Sequence, residues 1–185
     1  GSAATAIARA GPWPAASTHG RRPSTRPSRS TRNTVRAVIQ RSGPAEVISD
    51  GESLARINSG LVILLGIEER DTREDVDWLV GKITKMRIFG DDEGKMNCSL
   101  LDQPTPQALV ISQFTLHANT RKGNRPSFIR AARPEQSEPL YLAFCEAMSK
   151  AIGNPVGRGR FGADMQVSLV NDGPVTITID SQARE

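Results

Sequence analysis

One stretch near the middle of the chain changes from apolar to polar within a single strand-forming segment. Residues 107–110 are mostly apolar, and residues 111–117 read Ile-Ser-Gln-Phe-Thr-Leu-His. A strand that leaves a core carries its last side chains to the edge of the sheet. We therefore interpret residues 107–117 as one strand that begins buried and ends polar. The stretch predicts a sheet with polar groups presented at its rim.

The segment that follows this strand is basic. Residues 118–134 contain five cations and no acidic residue. A polar strand end beside concentrated positive charge favours an anionic substrate. The alternative is a surface strand with a solvated loop, since charged loops usually only face water. The five cations are Arg121, Lys122, Arg125, Arg130 and Arg133.

Positive charge is also concentrated at the start of the chain. Residues 1–33 hold six arginines and no acidic residue, whereas residues 34–185 hold 18 basic and 20 acidic residues. The first segment is rich in Ala, Ser, Thr, Pro and Arg, so it buries too little apolar surface to order, and we predict that it is disordered. Its composition is typical of an organelle transit peptide, and the alternative is a basic arm that binds nucleic acid. Gly1-Ser2 is also what an expression tag leaves behind.

Residues 34–185 are predicted to form one globular domain. The chain is 37% hydrophobic and 24% charged, which is ordinary for a globular protein. Its longest apolar run, residues 61–65, has the length of a strand and falls far short of the roughly 18 residues of a membrane span, so no membrane partner is expected. Cys98 and Cys145 show neither metal-site spacing nor a disulfide framework, which indicates a reducing compartment.

Hydrophobic periodicity predicts a mixture of strands and two helices. Strands are predicted at residues 35–41, in a hairpin that turns at Asp50-Gly51, and at residues 61–67. Residues 165–170 and 175–179 predict two final strands around a tight turn. Helices are predicted after Thr72 and over residues 134–152, with apolar stripes at Val76, Leu79, Val80, Ile83 and Met86, and at Leu140, Tyr141, Phe144, Cys145 and Met148.

Common catalytic motifs are missing from the sequence. It contains no Gly-x-Ser-x-Gly elbow and no His-Glu-x-x-His pair. His117 is the only histidine outside residues 1–33, and a lone histidine on a strand is more often a packing or surface residue than a base. A Ser-His-Asp triad is therefore not expected. An enzyme with this sequence must use backbone groups, hydroxyls or the substrate itself.

Several short motifs, taken together and in order, resemble one enzyme family. Residues 112–116, Ser-Gln-Phe-Thr-Leu, and residues 171–176, Asn-Asp-Gly-Pro-Val-Thr, resemble the signature pair of the D-aminoacyl-tRNA deacylases. The resemblance extends through most of the chain after the basic segment. Supporting stretches are residues 38–41, 64–67, 122–128 and 161–163.

This resemblance implies a fold and an activity. The implied fold is a homodimer of compact single-domain α/β subunits, with mixed, mostly antiparallel sheets curled toward a barrel and two main helices. The implied activity is hydrolysis of the ester that joins a D-amino acid to the terminal ribose of tRNA, and also of glycyl-tRNA, including glycine attached to alanine tRNA. No metal or other cofactor is implied. The expected location is the cytoplasm, or a chloroplast or mitochondrion if residues 1–33 are a transit peptide.

The resemblance assigns chiral selection to Gly173-Pro174. In the family this pair takes a cis bond and enters the pocket of the partner subunit, where two carbonyl oxygens bind the amino group. No room is then left for an L side chain, so chirality is selected by exclusion. Arg41 is expected to brace this loop through its backbone. The alternative reading of the residues is an ordinary tight turn with a trans bond.

The resemblance assigns catalysis to the Ser-Gln-Phe-Thr motif. Ser112 and Gln113 are expected to shape the pocket and Phe114 to pack against the adenine. Backbone N–H groups near Phe114 and Thr115 are expected to hold the oxyanion. Thr115 is the candidate nucleophile, but no base is evident, so we favour substrate assistance, in which the neighbouring ribose hydroxyl activates water.

Contacts with tRNA are expected at the basic loop and at one aromatic residue. Arg121, Lys122 and Arg125 are expected to contact phosphates of the acceptor end, and Phe161 is expected to contribute to tRNA binding. Two alternatives to this function stay open. One is a related deacylase of different chiral stringency, and the other is a non-catalytic RNA-binding module.

Overall fold

The computed structural model describes residues 35–181. Residues 1–34 and 182–185 lie outside this part, so the predictions for residues 1–33 concern residues that the structure does not describe. The elements in chain order are β1 (Arg36–Ser49), β2 (Glu52–Ile57), β3 (Gly60–Gly66), α1 (Arg73–Lys85), β4 (Phe89–Gly90), β5 (Met96–Cys98), β6 (Ala108–Ser112), α2 (Pro134–Ile152), β7 (Gly157–Arg158) and β8 (Gln166–Asp180).

One long strand, β1, organises the sheet. Along one edge, its first half pairs with β3 and its second half with β2, both antiparallel. Along the other edge it pairs antiparallel with β8 over almost its whole length. Because a strand with three partners must twist and bend between its halves, the sheet curls.

The predicted hairpin is confirmed, with Asp50 and Gly51 at positive φ angles of 52° and 78°, as a two-residue hairpin turn requires.

The rest of the sheet extends from β3. The order is β2-β1-β3-β6-β7, with β8 on the free edge of β1 and β4-β5 as a separate hairpin. The β3-β6 and β6-β7 pairs are parallel, and the remaining pairs are antiparallel. The predicted fold class, a single mixed α/β domain with a barrel-like, mostly antiparallel sheet and two main helices, is confirmed.

Apolar side chains cover both faces of the central strands. On β3, Leu61 and Ile63 face a core that includes the buried stripes of both helices, whereas Val62 faces a second core inside the curl of the sheet. This two-sided burial explains why the sequence of β3 is continuously apolar. Within residues 35–181, no helix combines the length and apolar character that crossing a membrane requires.

The two helices have the predicted positions. The carboxylate of Asp75 accepts a hydrogen bond of 3.0 Å from the Thr72 N–H and so caps the start of α1. Pro134 occupies the first turn of α2, and Gly153 closes that helix with a φ of 67°. The predicted stripes are buried except for Met86 and Leu140, which are only partly buried.

The predicted strand over residues 107–117 is wrong in its second half. The strand ends at Ser112, and Phe114–His117 forms a 3-10 helix. The reason lies in the neighbouring strand, because β3 ends at Gly66 and offers the chain no further pairing. The Gln113 N–H makes the last bond along this edge, 2.7 Å to the Leu65 carbonyl, and the chain then turns.

The predicted pair of final strands around a tight turn is also wrong. Both halves belong to β8 and run antiparallel to the same strand, with Asn171 opposite Ser42 and Thr176 opposite Gln40. Residues 172–175 therefore oppose Arg41 alone and form a bulge, which we call the Gly-Pro bulge. The chain does not reverse there because β1 is long enough to pair on both sides of the bulge.

Candidate active site

The Ser-Gln-Phe-Thr-Leu motif forms a compact turn at the end of β6. We call residues 112–117 the catalytic turn. Its hydrogen bonds run from the Leu116 N–H to the Gln113 carbonyl at 3.3 Å and from the Ala118 N–H to the Thr115 carbonyl at 3.0 Å. The amides of Phe114 and Thr115 lie at the start of the turn, ahead of the Leu116 donor. Backbone donors at the start of such a turn suit a developing negative charge.

The Thr115 hydroxyl is held by an amide side chain. Gln113 Nε2 donates to Thr115 Oγ1 at 2.6 Å, and both residues are half-buried. Neither end of an amide is a base strong enough to remove a proton from a hydroxyl. The geometry therefore orients the hydroxyl of Thr115 without activating it as a nucleophile.

His117 is the last residue of the catalytic turn, but its side chain is buried and does not line the site. Its side chain is fully buried against Gly66, where an added Cβ would lie 3.1 Å from His117 Nε2. Burial lowers the pKa of His117 from its ordinary value, against a smaller opposing effect of the Gly66 backbone. A neutral, enclosed imidazole supports the turn by packing and does not serve Thr115 as a base.

The basic loop lies beside the turn. The rings of Phe114 and Phe128 meet edge to face with centroids 5.1 Å apart, which connects the turn to the end of the loop. A two-residue bridge between Asn119 and Ser127 closes the loop. Its tip carries three exposed cations that form no ion pair with the described residues: Arg121, Lys122 and Arg125.

Phe161 lies at the same end of the sheet as the catalytic turn. It follows β7, which runs parallel to β6, and the Gly159 N–H continues this pairing with a 3.2 Å bond to the Val110 carbonyl. Its ring packs against Tyr141 with centroids 5.9 Å apart. A cavity of about 480 Å3 lies beside these rings and is also lined by Arg158. Tyr141 was predicted only as a core residue of the second helix, and Arg158 was not predicted as a site residue although it lies in a glycine-rich, basic segment.

The Gly-Pro bulge is exposed, and Arg41 contacts its backbone. The Gly173–Pro174 peptide bond is cis, so the alternative of a tight turn with a trans bond is wrong. Arg41 Nε lies 3.0 Å from Asp172 Oδ2 and donates to the Asp172 carbonyl at 3.2 Å, and its Nη1 donates to the Ile88 carbonyl at 2.6 Å. These bonds fix the bulge to the sheet while its tip projects outward.

Within one chain, the catalytic turn and the Gly-Pro bulge lie at different positions along β1. Arg36 Nη1 donates to the Leu116 carbonyl in the turn at 3.1 Å, and Arg41 contacts the bulge. The two arginines are five residues apart on β1, which corresponds to about 17 Å along an extended strand. The structure therefore brings Ser112–Thr115, Phe161 and the basic loop to one end of β1, and places Gly173, Pro174 and Arg41 toward its middle.

The comparisons identify the family of this arrangement. The curled sheet with its two helices is the fold that the resemblance implies for a class of aminoacyl-tRNA deacylases. A family model described as D-Tyr-tRNA(Tyr) deacylase matches residues 38–180, which is most of the chain. The chain therefore belongs to the D-Tyr-tRNA(Tyr) deacylase family, and the resemblance drawn from its motifs is confirmed.

Individual relatives agree with this assignment. D-aminoacyl-tRNA deacylases from Flavobacterium johnsoniae and Opitutus terrae are 53% and 57% identical over 151 residues, which cover 82% of this chain and 100% of each relative. A solved structure titled c-Myc DNA Unwinding Element Binding Protein is 40% identical, with a TM-score of 0.72 over 78% of this chain and 97% of that one. A probable eukaryotic D-amino acid tRNA deacylase, 21% identical with a TM-score of 0.70 over 80% and 99%, supports the fold alone.

Buried carboxylates lie behind the catalytic turn. Asp71, which is 4% exposed, accepts a 2.6 Å hydrogen bond from the Glu68 N–H, and Asp75 and Asp180 lie close enough to act on its charge. Burial first, and these neighbouring carboxylates second, raise the pKa of Asp71 from 3.8 to about 7. The buried carboxyl of Asp71 therefore loses its proton near neutral pH.

Asp71→Asn should change the pH dependence of stability. Between pH 3.8 and about 7 the folded protein holds a proton on Asp71 that the unfolded chain has released, so rising pH removes stability. The unfolding free energy of the variant, relative to wild type, should therefore increase through this interval. Urea unfolding across the interval measures it, with the exposed Asp77→Asn as control. Parallel profiles for Asp71→Asn and wild type would contradict the assigned pKa.

Proposed function

We propose that the chain hydrolyses the ester of D-aminoacyl-tRNA and of glycyl-tRNA, including glycine attached to alanine tRNA, in a site built by two copies of the chain. Hydrolysis of D-aminoacyl-tRNA follows from its membership of the deacylase family and makes the chain an enzyme. Glycine as a substrate, the shared site and the residue roles are our proposals. The observation that carries them is the separation between the catalytic turn and the Gly-Pro bulge on β1.

A two-fold dimer resolves this separation. Two copies related by a two-fold axis contact each other through the same surface. If the bulge of one copy contacts the turn of the other, the reverse contact forms as well. Val170 and Met96, which are 47% and 58% exposed, flank the bulge and are apolar surface that such an interface would cover. Each active site then combines the turn of one copy with the bulge of its partner.

The bulge selects the chirality of the substrate. The Gly173 and Pro174 carbonyl oxygens accept hydrogen bonds from the substrate amino group and lie against its Cα, where an L side chain would project. A D side chain points away from them, and glycine has no side chain to exclude. Arg41 makes this exclusion effective because a loosely held bulge would yield to the larger substrate.

The catalytic turn stabilises the oxyanion, and the ribose 2′-hydroxyl of the substrate assists the attack of water. Water adds to the ester carbonyl, with the neighbouring ribose 2′-hydroxyl orienting and activating it. The oxyanion accepts hydrogen bonds from the amides of Phe114 and Thr115. The ester C–O bond then breaks, the ribose 3′-oxygen takes a proton, and free tRNA and an amino acid leave. Ser112 and Gln113 shape the pocket, and Gln113 holds Thr115.

The basic loop and Phe161 bind the acceptor end of tRNA. Arg121, Lys122 and Arg125 are exposed beside the turn, so phosphates of the 3′ strand can reach them without breaking an ion pair among the described residues. Phe161 offers an aromatic surface near Ser112 for a terminal base. Residues 1–33 stay a proposed targeting segment for a chloroplast or mitochondrion, with a cytoplasmic location if they do not act as one.

One panel of substrates tests this function. We expect single-turnover hydrolysis of D-tyrosyl-tRNA and glycyl-tRNA, and negligible hydrolysis of L-tyrosyl-tRNA. Thr115→Ala should stay within about 10-fold of wild type, or about 1.4 kcal/mol of barrier, because Thr115 has no base. A 2′-deoxy terminal ribose should slow the reaction far more, because the assisting group is removed.

The outcomes of this panel separate the alternatives. Inactive Thr115→Ala together with full activity on the deoxy substrate would restore Thr115 as a nucleophile. Substantial hydrolysis of L-tyrosyl-tRNA would indicate the related deacylase of different chiral stringency. Binding of all three substrates without hydrolysis would indicate a non-catalytic RNA-binding module.

Salt titration tests the basic loop. Replacing Arg121, Lys122 or Arg125 singly with Ala should weaken tRNA binding without changing the preference for D over L. Each replacement should also lower the slope of log affinity against log salt by about one unit, because one phosphate contact is lost. Lys82→Ala, on the exposed face of α1, is the control and should leave the slope unchanged. An unchanged slope in all three loop variants would remove the loop from the interface.

A further inference from the structure

We infer that Arg36 is a positioning residue for the hydrolysis, which fixes the far end of the catalytic turn so that its amides keep their orientation toward the oxyanion. The inference rests on the proposed role of the turn. Arg36 lies outside both motifs, 76 residues before the Ser-Gln-Phe-Thr motif, at the first residue of β1.

The guanidinium of Arg36 makes two directed contacts. Its Nη1 donates to the Leu116 carbonyl at 3.1 Å, and its Nε donates to Asp180 Oδ2 at 3.2 Å. The side chain of Arg36 is 34% exposed and that of Asp180 is 24% exposed, so the pair is partly shielded from water. Asp180, at the end of β8, thus orients Arg36 toward the turn. The planar guanidinium carries several N–H donors and can make both contacts at once.

The turn depends on anchors at both of its ends. Its first anchor is the bond from the Gln113 N–H to the Leu65 carbonyl, which ends the pairing of β6 with β3. Beyond that bond the chain forms only a four-residue 3-10 helix, whose hydrogen-bond geometry is weaker than that of an α-helix. Carbonyls at the end of a helix need partners from elsewhere, and Arg36 supplies one to Leu116. The amides of Phe114 and Thr115 lie between these two anchors.

The charge behind the turn also favours an arginine at this position. The buried residues Glu68 and Asp71 lie in this region together with Asp180, and within residues 35–181 Arg36 and Arg130 supply positive charge that acts on His117. Arg130 is paired with Glu68 at 2.6 Å, which leaves Arg36 to pair with Asp180. A lysine would keep the charge but could not donate to Asp180 and Leu116 with the same fork.

Stability and rate should therefore respond differently to changes at Arg36. Partly exposed ion pairs contribute little to stability, so loss of the Arg36 and Asp180 pair should leave the domain folded. Displacement of catalytic donors by about 1 Å can cost about 100-fold in rate. A positioning role thus predicts a loss of rate at saturating substrate that exceeds any loss of folded protein.

The experiment compares Arg36→Ala, Arg36→Lys and Asp180→Asn in the full chain on D-tyrosyl-tRNA. At saturating enzyme, the single-turnover rate of Arg36→Ala should fall about 10- to 100-fold, with tRNA affinity within about 3-fold of wild type. Arg36→Lys should recover only part of the rate, and Asp180→Asn should lose a smaller part. Arg56→Ala, which removes the exposed Arg56 and Glu46 ion pair elsewhere on the sheet, is the matched control and should keep the wild-type rate.

Each outcome decides the inference. Arg36→Ala and Asp180→Asn with wild-type rates would overturn it, as would a change in affinity alone. If Arg36→Ala does not fold, Arg36→Lys decides: a native melting temperature with a reduced rate supports positioning, and a full rate overturns it. A wild-type chain that hydrolyses no D-tyrosyl-tRNA would overturn the proposed function and this inference together. An active wild type with normal Arg36 variants would overturn only the inference.

Discussion

The pairing of β1 with three other strands is the constraint on which the rest of this structure depends. Because β1 is continuous, β8 must follow it on both sides of the Gly-Pro bulge, and β3 must end where the first half of β1 begins. The end of β3 in turn decides where β6 stops and the catalytic turn starts. Two arginines of the same strand, Arg36 and Arg41, then hold the turn and the bulge. The geometry of both half-sites thus follows from one strand.

This arrangement separates two tasks that the hydrolysis of a D-aminoacyl ester combines. In the proposed mechanism, charge stabilisation requires backbone donors that cannot move, and the short 3-10 turn between two anchors would supply them. In the same proposal, rejection of L side chains requires a rigid wall close to the substrate Cα, and the bulge bonded to the sheet would supply it. The two arginines of β1 that contact these parts lie about 17 Å apart along an extended strand. The proposed dimer would bring them together, and folding, assembly and specificity would then depend on each other.

Local patterns predicted the elements whose cause is local. The cap at Thr72, the start of α2 at Pro134 and the turn at Asp50-Gly51 each follow from a residue type and its immediate neighbours. Two predictions failed where a distant strand decides the outcome. The strand over residues 107–117 ends early because β3 ends, and the final hairpin is a bulge because β1 continues. Motif resemblance found the turn and the bulge, but Arg36 required the folded structure because its only sequence signal is an arginine at a strand start.

A complementation assay with mixed dimers tests most directly whether each site is built by two chains. Gly66→Val should displace the turn, since an added Cβ there would lie 3.0 Å from the Gln113 carbonyl oxygen, and Gly173→Val should displace the bulge, where it would lie 2.8 Å from Val175 Cγ2. Each homodimer should be inactive on D-tyrosyl-tRNA. Random reassociation gives mixed dimers in half of the molecules, each with one intact site, so the mixture should recover about a quarter of wild-type activity. Mixed dimers that form, as differently tagged chains would show, and stay inactive would contradict the shared site.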